Sequence, residues 1–307
     1  MKKLFIFFLV ASLLLVGCGQ QGGNQPAGEK TKQATIEFTD DTGKLVKLAK
    51  PAKKIISLYS AHTENLFSLG LDAEIIGVST SENYPPAALQ KTKFDYRADP
   101  ERVIAQEPDV VLIRPFVKRG YPDFVKALEN AGIQVISLYP EKYADFPEYI
   151  QKLGLLTGKS VKAQELLTNF EQQLAKLTQA NTQKQAKVFF EATSNQRTTT
   201  PDSIPAGLIT KLGYQPIFIG KPVVDKGTSI ASFDLEELML QADKIDIYIA
   251  QKGIMNAKVS KEVIIARPGY ENIKAVRTAK VLIMDEKLIS SPTFRLLLGA
   301  EQLINMQ

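Results

Sequence analysis

The chain holds one histidine, His62, and one cysteine, Cys18, and that scarcity decides most of the chemistry open to it. A zinc site built on several imidazoles, or a helix carrying HExxH, needs at least two histidines and is excluded. Ser60 and His62 sit close together after an apolar run. A serine nucleophile needs an imidazole base steered by a carboxylate, and a spacing of two residues does not build that pair. His62 therefore reads as a loop residue lining a cleft. GxSxG and GxGxxG do not occur. Gly154-Leu-Leu-Thr-Gly158-Lys159-Ser160 has three residues between its glycines where a phosphate loop has four, and it follows a helical stretch instead of a strand. It reads as a turn into a helix, with Ser160 at the N-cap position. No enzyme is expected. What remains is a series of arginines with aromatic neighbours: Arg97 beside Tyr96, Arg114 and Arg119 flanking Phe116, Arg197, and Arg295 beside Phe294. Guanidinium forks match carboxylates and other oxyanions, and aromatic faces pack against flat or macrocyclic molecules.

Positioning such groups needs a scaffold. Val- and Ile-rich runs at Lys54–Tyr59, Ile75–Val78, Val110–Ile113, Gln134–Leu138, Lys187–Glu191, Ile245–Ala250 and Lys280–Asp285 are continuous instead of alternating. Continuous runs suit parallel strands covered on both faces. Helical patterns lie between them, such as Asp123–Ala131 closed by Gly132. From Ser160 to about Thr182, Ala163, Leu166, Leu167, Phe170, Leu174 and Leu177 recur at helical steps with no Gly or Pro. The spacing predicts two Rossmann-like α/β lobes, over 35–158 and 185–307, joined by one long rigid helix within 159–184. Thr35–Leu48 alternates around Asp40-Asp41-Thr42-Gly43 and predicts a hairpin.

Before these elements, Lys2 and Lys3 precede an apolar run, Leu4 to Val16. The run has the length of a signal-peptide core and is short of the roughly 20 residues a membrane span needs. Residues 1–17 read as a signal peptide. Leu15-Val16-Gly17-Cys18 resembles a bacterial lipobox, which implies a lipidated Cys18 anchoring an extracytoplasmic protein to the membrane. Residues 18–34 then read as a Gly-, Gln- and Lys-rich tether. The charge is +5, from 38 basic and 33 acidic residues, or 36 against 33 without Lys2 and Lys3. That is too mild and too evenly spread for nucleic acid.

Several segments together resemble the class III periplasmic binding proteins. They are Asp40 to Leu48, Pro51 to Leu58, Ser60 to Gly70, Ile76-Gly-Val78 with Tyr84-Pro-Pro86, Pro100 to Leu112, Asp234 to Leu238 and on to Ile247, and Leu288 to Gly299. Their order and spacing carry the resemblance from about residue 38 to the end. It implies a ligand cleft between two lobes and delivery of an iron–siderophore, haem or cobalamin to an ABC permease dimer with its ATPase. It also implies one docking glutamate per lobe: Glu101, and Glu236 with Glu237 as the neighbouring alternative. The protein itself is expected to be a monomer.

In such a fold the cleft is lined by loops leaving the carboxyl ends of the strands. The candidates are Ser60, His62, Tyr96, Arg97, Arg114, Phe116, Arg119, Tyr139, Thr193, Asn195, Arg197, Gln251, Lys252 and Arg295. Arginines among aromatics suit an anionic, bulky ferric chelate. Haem would want an axial ligand, for which Tyr96 and His62 are the candidates. A corrinoid stays open, although the chain has no Trp. No His/Asp/Glu cluster points to a bare metal ion, and no resident cofactor is expected.

Overall fold

A computed structural model describes residues 35–194, 197–218, 221–222 and 229–306. Cys18, the signal and tether segments and Asn195 lie outside the described residues. The hairpin is present as Ile36–Thr39 paired antiparallel with Leu45–Leu48. Asp40 holds its turn, with Oδ1 accepting from the Thr42 and Lys44 amides and from the Thr42 hydroxyl. Gly43 takes φ of 81°, a conformation that glycine adopts without a Cβ penalty. Asp40 Oδ2 also accepts from the Ser137 amide, which ties the hairpin to the first sheet.

That sheet has five parallel strands in the order Thr92–Phe94, Ile75–Ser79, Ile55–Ser57, Val110–Ile113 and Gln134–Ser137. A second sheet has four parallel strands, Gln215–Pro216, Lys187–Glu191, Ile247–Lys252 and Val281–Asp285. All seven apolar runs fall in these sheets. The two strands not foreseen, Thr92–Phe94 and Gln215–Pro216, are short edge strands of mostly polar or small residues, where burial leaves no apolar signature. A third, antiparallel sheet of Lys221–Pro222, Ile230–Ser232 and Arg197–Thr199 escaped notice for the same reason.

Between the two parallel sheets run the helices Phe146–Thr157 and Ser160–Ala180. Gly158, with φ of 70°, ends the first, so the 154–160 segment is a helix–helix turn. Ser160 is already helical. The N-cap is Lys159 and makes no side-chain cap, which corrects the expectation that Ser160 caps the helix. Gly154 lets the helices touch, since a Cβ there would lie 2.7 Å from the Ala163 Cβ. The long helix buries Ala163, Leu167, Phe170 and Leu174, with Leu166 and Leu177 packed at the margin. Around it one apolar core runs from Ile55 and Leu112 through Phe146 and Leu153 to Leu208, Ile249 and Leu303. Each sheet also has its own outer core, around Ile56 and Val111 in the first and Phe189 and Tyr248 in the second. The C-terminal helix Leu296–Ile304 joins the shared core, and Phe146, Phe170 and Phe294 form a ring cluster with centroids 5.4–5.9 Å apart.

Candidate ligand-binding cleft

The segments that follow the carboxyl ends of both parallel sheets border one cavity of about 1250 Å³. On the first-lobe side its wall is Tyr59, Ser60, Ser81, Arg114, Phe116, Arg119, Tyr139 and Glu141. Arg114 follows Val110–Ile113 and lies among three rings, 4.5 Å from the Tyr59 centroid, 5.7 Å from Phe116 and 5.9 Å from Tyr139. Aromatic faces hold a cation without occupying its N–H donors. No carboxylate among the described residues pairs with this guanidinium. Burial holds the Tyr59 hydroxyl far above the usual tyrosine range, with neighbouring Tyr139 a smaller cause, and burial also raises Tyr139. Both phenols therefore stay neutral.

The second-lobe wall includes Thr193, Arg197, Thr199, Gln251, Ile254, Met255, Lys287 and Ser290. Gln251 is buried and fixed at both ends of its amide, donating 2.8 Å to the Ala192 carbonyl and accepting from the Ser290 hydroxyl. Lys252, the next residue of the strand, points the opposite way and is exposed, as strand alternation requires. Behind this wall Glu191 is 1% exposed. It is gripped by both terminal nitrogens of Arg267, by the Tyr248 hydroxyl and by Asn256 Nδ2 at 3.1 Å.

Of the residues read from the sequence, the cavity brings together Ser60, Arg114, Phe116, Arg119, Tyr139, Thr193, Arg197 and Gln251. Five described candidates are placed elsewhere, and each has a physical reason. His62 is wholly buried beneath Tyr59, with ring centroids 5.1 Å apart. Its Nε2 faces the Ile113 carbonyl at 3.2 Å, which can only accept, so Nε2 carries the hydrogen and Nδ1 accepts from the Tyr149 hydroxyl at 2.7 Å. Burial depresses its pKa to about 3, and a neutral ring with both nitrogens engaged is neither a base nor a haem ligand. Tyr96 is half-buried behind Phe116, 4.9 Å from Tyr121. Arg97 forks onto Asp95 two residues away, with Nη2 at 2.7 Å, on the exposed surface. Arg295 forks onto the buried Glu64, with Nε at 2.8 Å, and stacks 4.5 Å from the Tyr84 centroid. Lys252 is the fifth.

The sequence reading passed over Tyr59, Ser81, Glu141, Lys287, Ser290 and Ser291. The run Lys54–Tyr59 reads as one strand, but the strand ends at Ser57 and Tyr59 instead precedes the helix Ser60–Ser68. Lys287, Ser290 and Ser291 follow the strand Val281–Asp285, and Ser81 follows Ile75–Ser79, both of them strand ends. Thr199 and Ile230 belong to the unforeseen antiparallel sheet.

Glu101 and Glu236 are exposed in the first turns of the helices Glu101–Ile104 and Leu235–Met239. Glu237 turns back to accept from the Asp234 amide in a capping box. Among the described residues no group of His, Cys, Asp and Glu side chains could hold a metal ion, and no helix is long and apolar enough to cross a membrane.

The periplasmic binding protein family matches residues 55–288, more than half of the chain, and the chain belongs to that family. It is 26% identical to an uncharacterized ABC transporter substrate-binding lipoprotein, YvrC, of Bacillus subtilis (strain 168), over 99% of this chain and 96% of that protein. It is also 26% identical to the vitamin B12-binding protein of Pectobacterium carotovorum subsp. carotovorum (strain PC1), over 56% of this chain and 63% of that relative. A crystal structure of a possible iron-binding, periplasmic solute-binding protein from Staphylococcus epidermidis superposes with a TM-score of 0.72 at 25% identity, covering 84% of this chain and 99% of that one. These relatives are solute-binding proteins, not enzymes.

Proposed function

We propose that this chain captures a ferric siderophore, or a similar anionic iron complex, outside the cell and delivers it to an ABC importer. As the substrate-binding component of an ABC transporter it has a small-molecule ligand and works with a permease and an ATPase, in accord with its family and its likeness to YvrC. The observation that carries the ligand class is Arg114, a cation held by three aromatic rings with no carboxylate partner among the described residues, on a cavity that Arg119 and Arg197 also border. Donors left open by π contacts suit an oxyanion, and the rings suit the bulk of a chelate. A corrinoid is the second reading, favoured by the likeness to the vitamin B12-binding protein and by the same aromatic wall. Haem is the third reading: the two axial candidates read from the sequence, His62 and Tyr96, lie off the cavity, which leaves Tyr59, Tyr139 and Met255 as the lining side chains able to ligate iron.

A thermal-shift screen against ferric siderophores, haem and corrinoids tests this, since a specific ligand raises the melting point by mass action. Arg114→Ala should then weaken the ferric chelate by about 10- to 150-fold, the equivalent of one charge-assisted hydrogen bond. Stabilisation by a corrinoid alone would transfer the assignment to the second reading. The protein acts as a monomer without a cofactor of its own, anchored through a lipidated Cys18. Cys18→Ser should move it from the detergent to the aqueous phase on partitioning. Glu101 and Glu236 dock it to the permease dimer. Their exposure supports that role, as does the inward turn of Glu237.

A further inference from the structure

Two second-lobe cations reach first-lobe partners at the seam, Lys287 on the cavity and Arg295 off it, and they are in different states. Arg295 is saturated by the fork on Glu64. Lys287 is not. It sits in the first turn of the short helix Glu286–Ile289, where Asp285 Oδ1 accepts from its amide at 2.8 Å. Its side chain crosses to the first lobe and Nζ donates to Ser60 Oγ at 2.9 Å. An ammonium has three donors, and among the described residues this one makes a single hydrogen bond. The carboxylate paired with it, its neighbour Glu286, stands 4.0 Å away, beyond hydrogen-bond range. The side chain is only 14% exposed. Lys287 and Ser60 both line the cavity.

We propose that Lys287, with Ser60, forms an anion subsite at the seam of the two lobes that receives a negatively charged oxygen of the solute. The inference rests on the reading of an anionic solute and deepens it, by naming the group that selects charge and the place where one ligand oxygen touches both lobes. An oxygen on the cavity side completes the ammonium's hydrogen bonds while the Ser60 contact keeps Nζ in place.

The test is equilibrium titration of wild type, Lys287→Met and Lys287→Arg with ferric citrate, a ferric tris-catecholate and cyanocobalamin. Wild type is expected to bind an anionic chelate, the methionine variant about 10-fold or more weakly, and the arginine variant at a strength between the two. Melting curves establish that both variants are folded. If the methionine variant binds the anionic chelate as wild type does, the subsite is wrong while the anionic-solute reading stands. If the arginine variant loses as much as the methionine variant, charge is not what the site reads and the subsite is again wrong. If wild type takes neither anionic chelate, the anionic-solute reading fails and the subsite fails with it.

Discussion

The seam between the lobes and the interior of the second lobe are each organised around a buried glutamate held by an arginine, and the two differ in what else holds the carboxylate. Glu191, inside the second lobe, accepts from Arg267, Tyr248 and Asn256. Glu64, at the seam, has its side chain held by Arg295 alone among the described residues, across a separation of 231 residues. A buried carboxylate with several donors survives the loss of one, whereas a carboxylate with a single partner becomes an uncompensated buried charge. The second lobe is thus internally redundant, whereas polar contacts across the seam are dispersed single ones, among them Arg295 to Glu64, Lys287 to Ser60, Asn65 Nδ2 to the Pro292 carbonyl at 2.8 Å and the Tyr143 amide to the Asp202 carbonyl at 3.0 Å. The apolar core is continuous beneath these contacts.

Arg295→Ala should give the largest effect, about 3–5 kcal/mol of stability lost, because it strands Glu64. Adding Glu64→Gln should recover much of that loss in urea denaturation. A single Arg295→Ala change that costs under about 1 kcal/mol would mean water or another donor already serves Glu64, and the contrast with Glu191 would disappear.

A second carboxyl at the seam sharpens the comparison through pH. Glu82 is buried, takes one bond from Thr63 at 3.0 Å, and leaves Oε2 without a partner. Burial raises its pKa from 4.5 to about 7. Between those values the native state holds a proton that the unfolded chain has lost, so this group's contribution to stability falls as pH rises from 4.5 through 7. The sum is about 3 kcal/mol by pH 8. His62 works in the opposite direction: unfolded chains take up a proton below about 6.5 and the native ring does not until about 3, so its contribution is lost as the solution is acidified. Glu82→Gln should therefore gain stability relative to wild type steadily from pH 4.5 to 8. Parallel urea midpoints for the two proteins across that range would refute the assignment.

Arg267→Ala should cost less than the seam variant, about 1–3 kcal/mol, since Tyr248 and Asn256 continue to donate to Glu191. A loss equal to that of Arg295→Ala would show that the neutral donors contribute little. The smallest effect on the fold belongs to Glu101→Arg combined with Glu236→Arg. Both sites are exposed, so stability and ligand affinity should stay within error while uptake through the permease is abolished by like charges. Uptake that survives the double reversal leaves the two glutamates as helix-start residues only.

Much of the scaffold was legible because the parallel strands are covered on both faces and had to be continuously apolar, and because the 160–180 helix shows its buried stripe at regular steps. Polar and edge elements were not. Arg197–Thr199, Ile230–Ser232 and Thr92–Phe94 carry no periodicity that a core would impose, yet the first two supply part of the second wall. The candidate site was readable by a positional rule, the residue after a strand end, and that rule reached Arg114, Tyr139 and Gln251. It also reached Lys252, because it says nothing about which way a side chain turns.

By itself the sequence determined the alternation of strands and helices, the hairpin at Gly43, the helix over 160–180, and the exclusion of any chemistry that needs several histidines. Those follow from local periodicity, from φ preferences and from counting. Only the tertiary structure decided which cations remain available to a ligand. Arg97 is claimed by Asp95 two residues away and Arg295 by Glu64 231 residues away. Arg114 is left with its donors open among aromatic rings from three different strand ends, and Lys287 with one hydroxyl from the opposite lobe. The type of a side chain is written in the chain, but whether its charge is already neutralised depends on partners that only folding brings within reach.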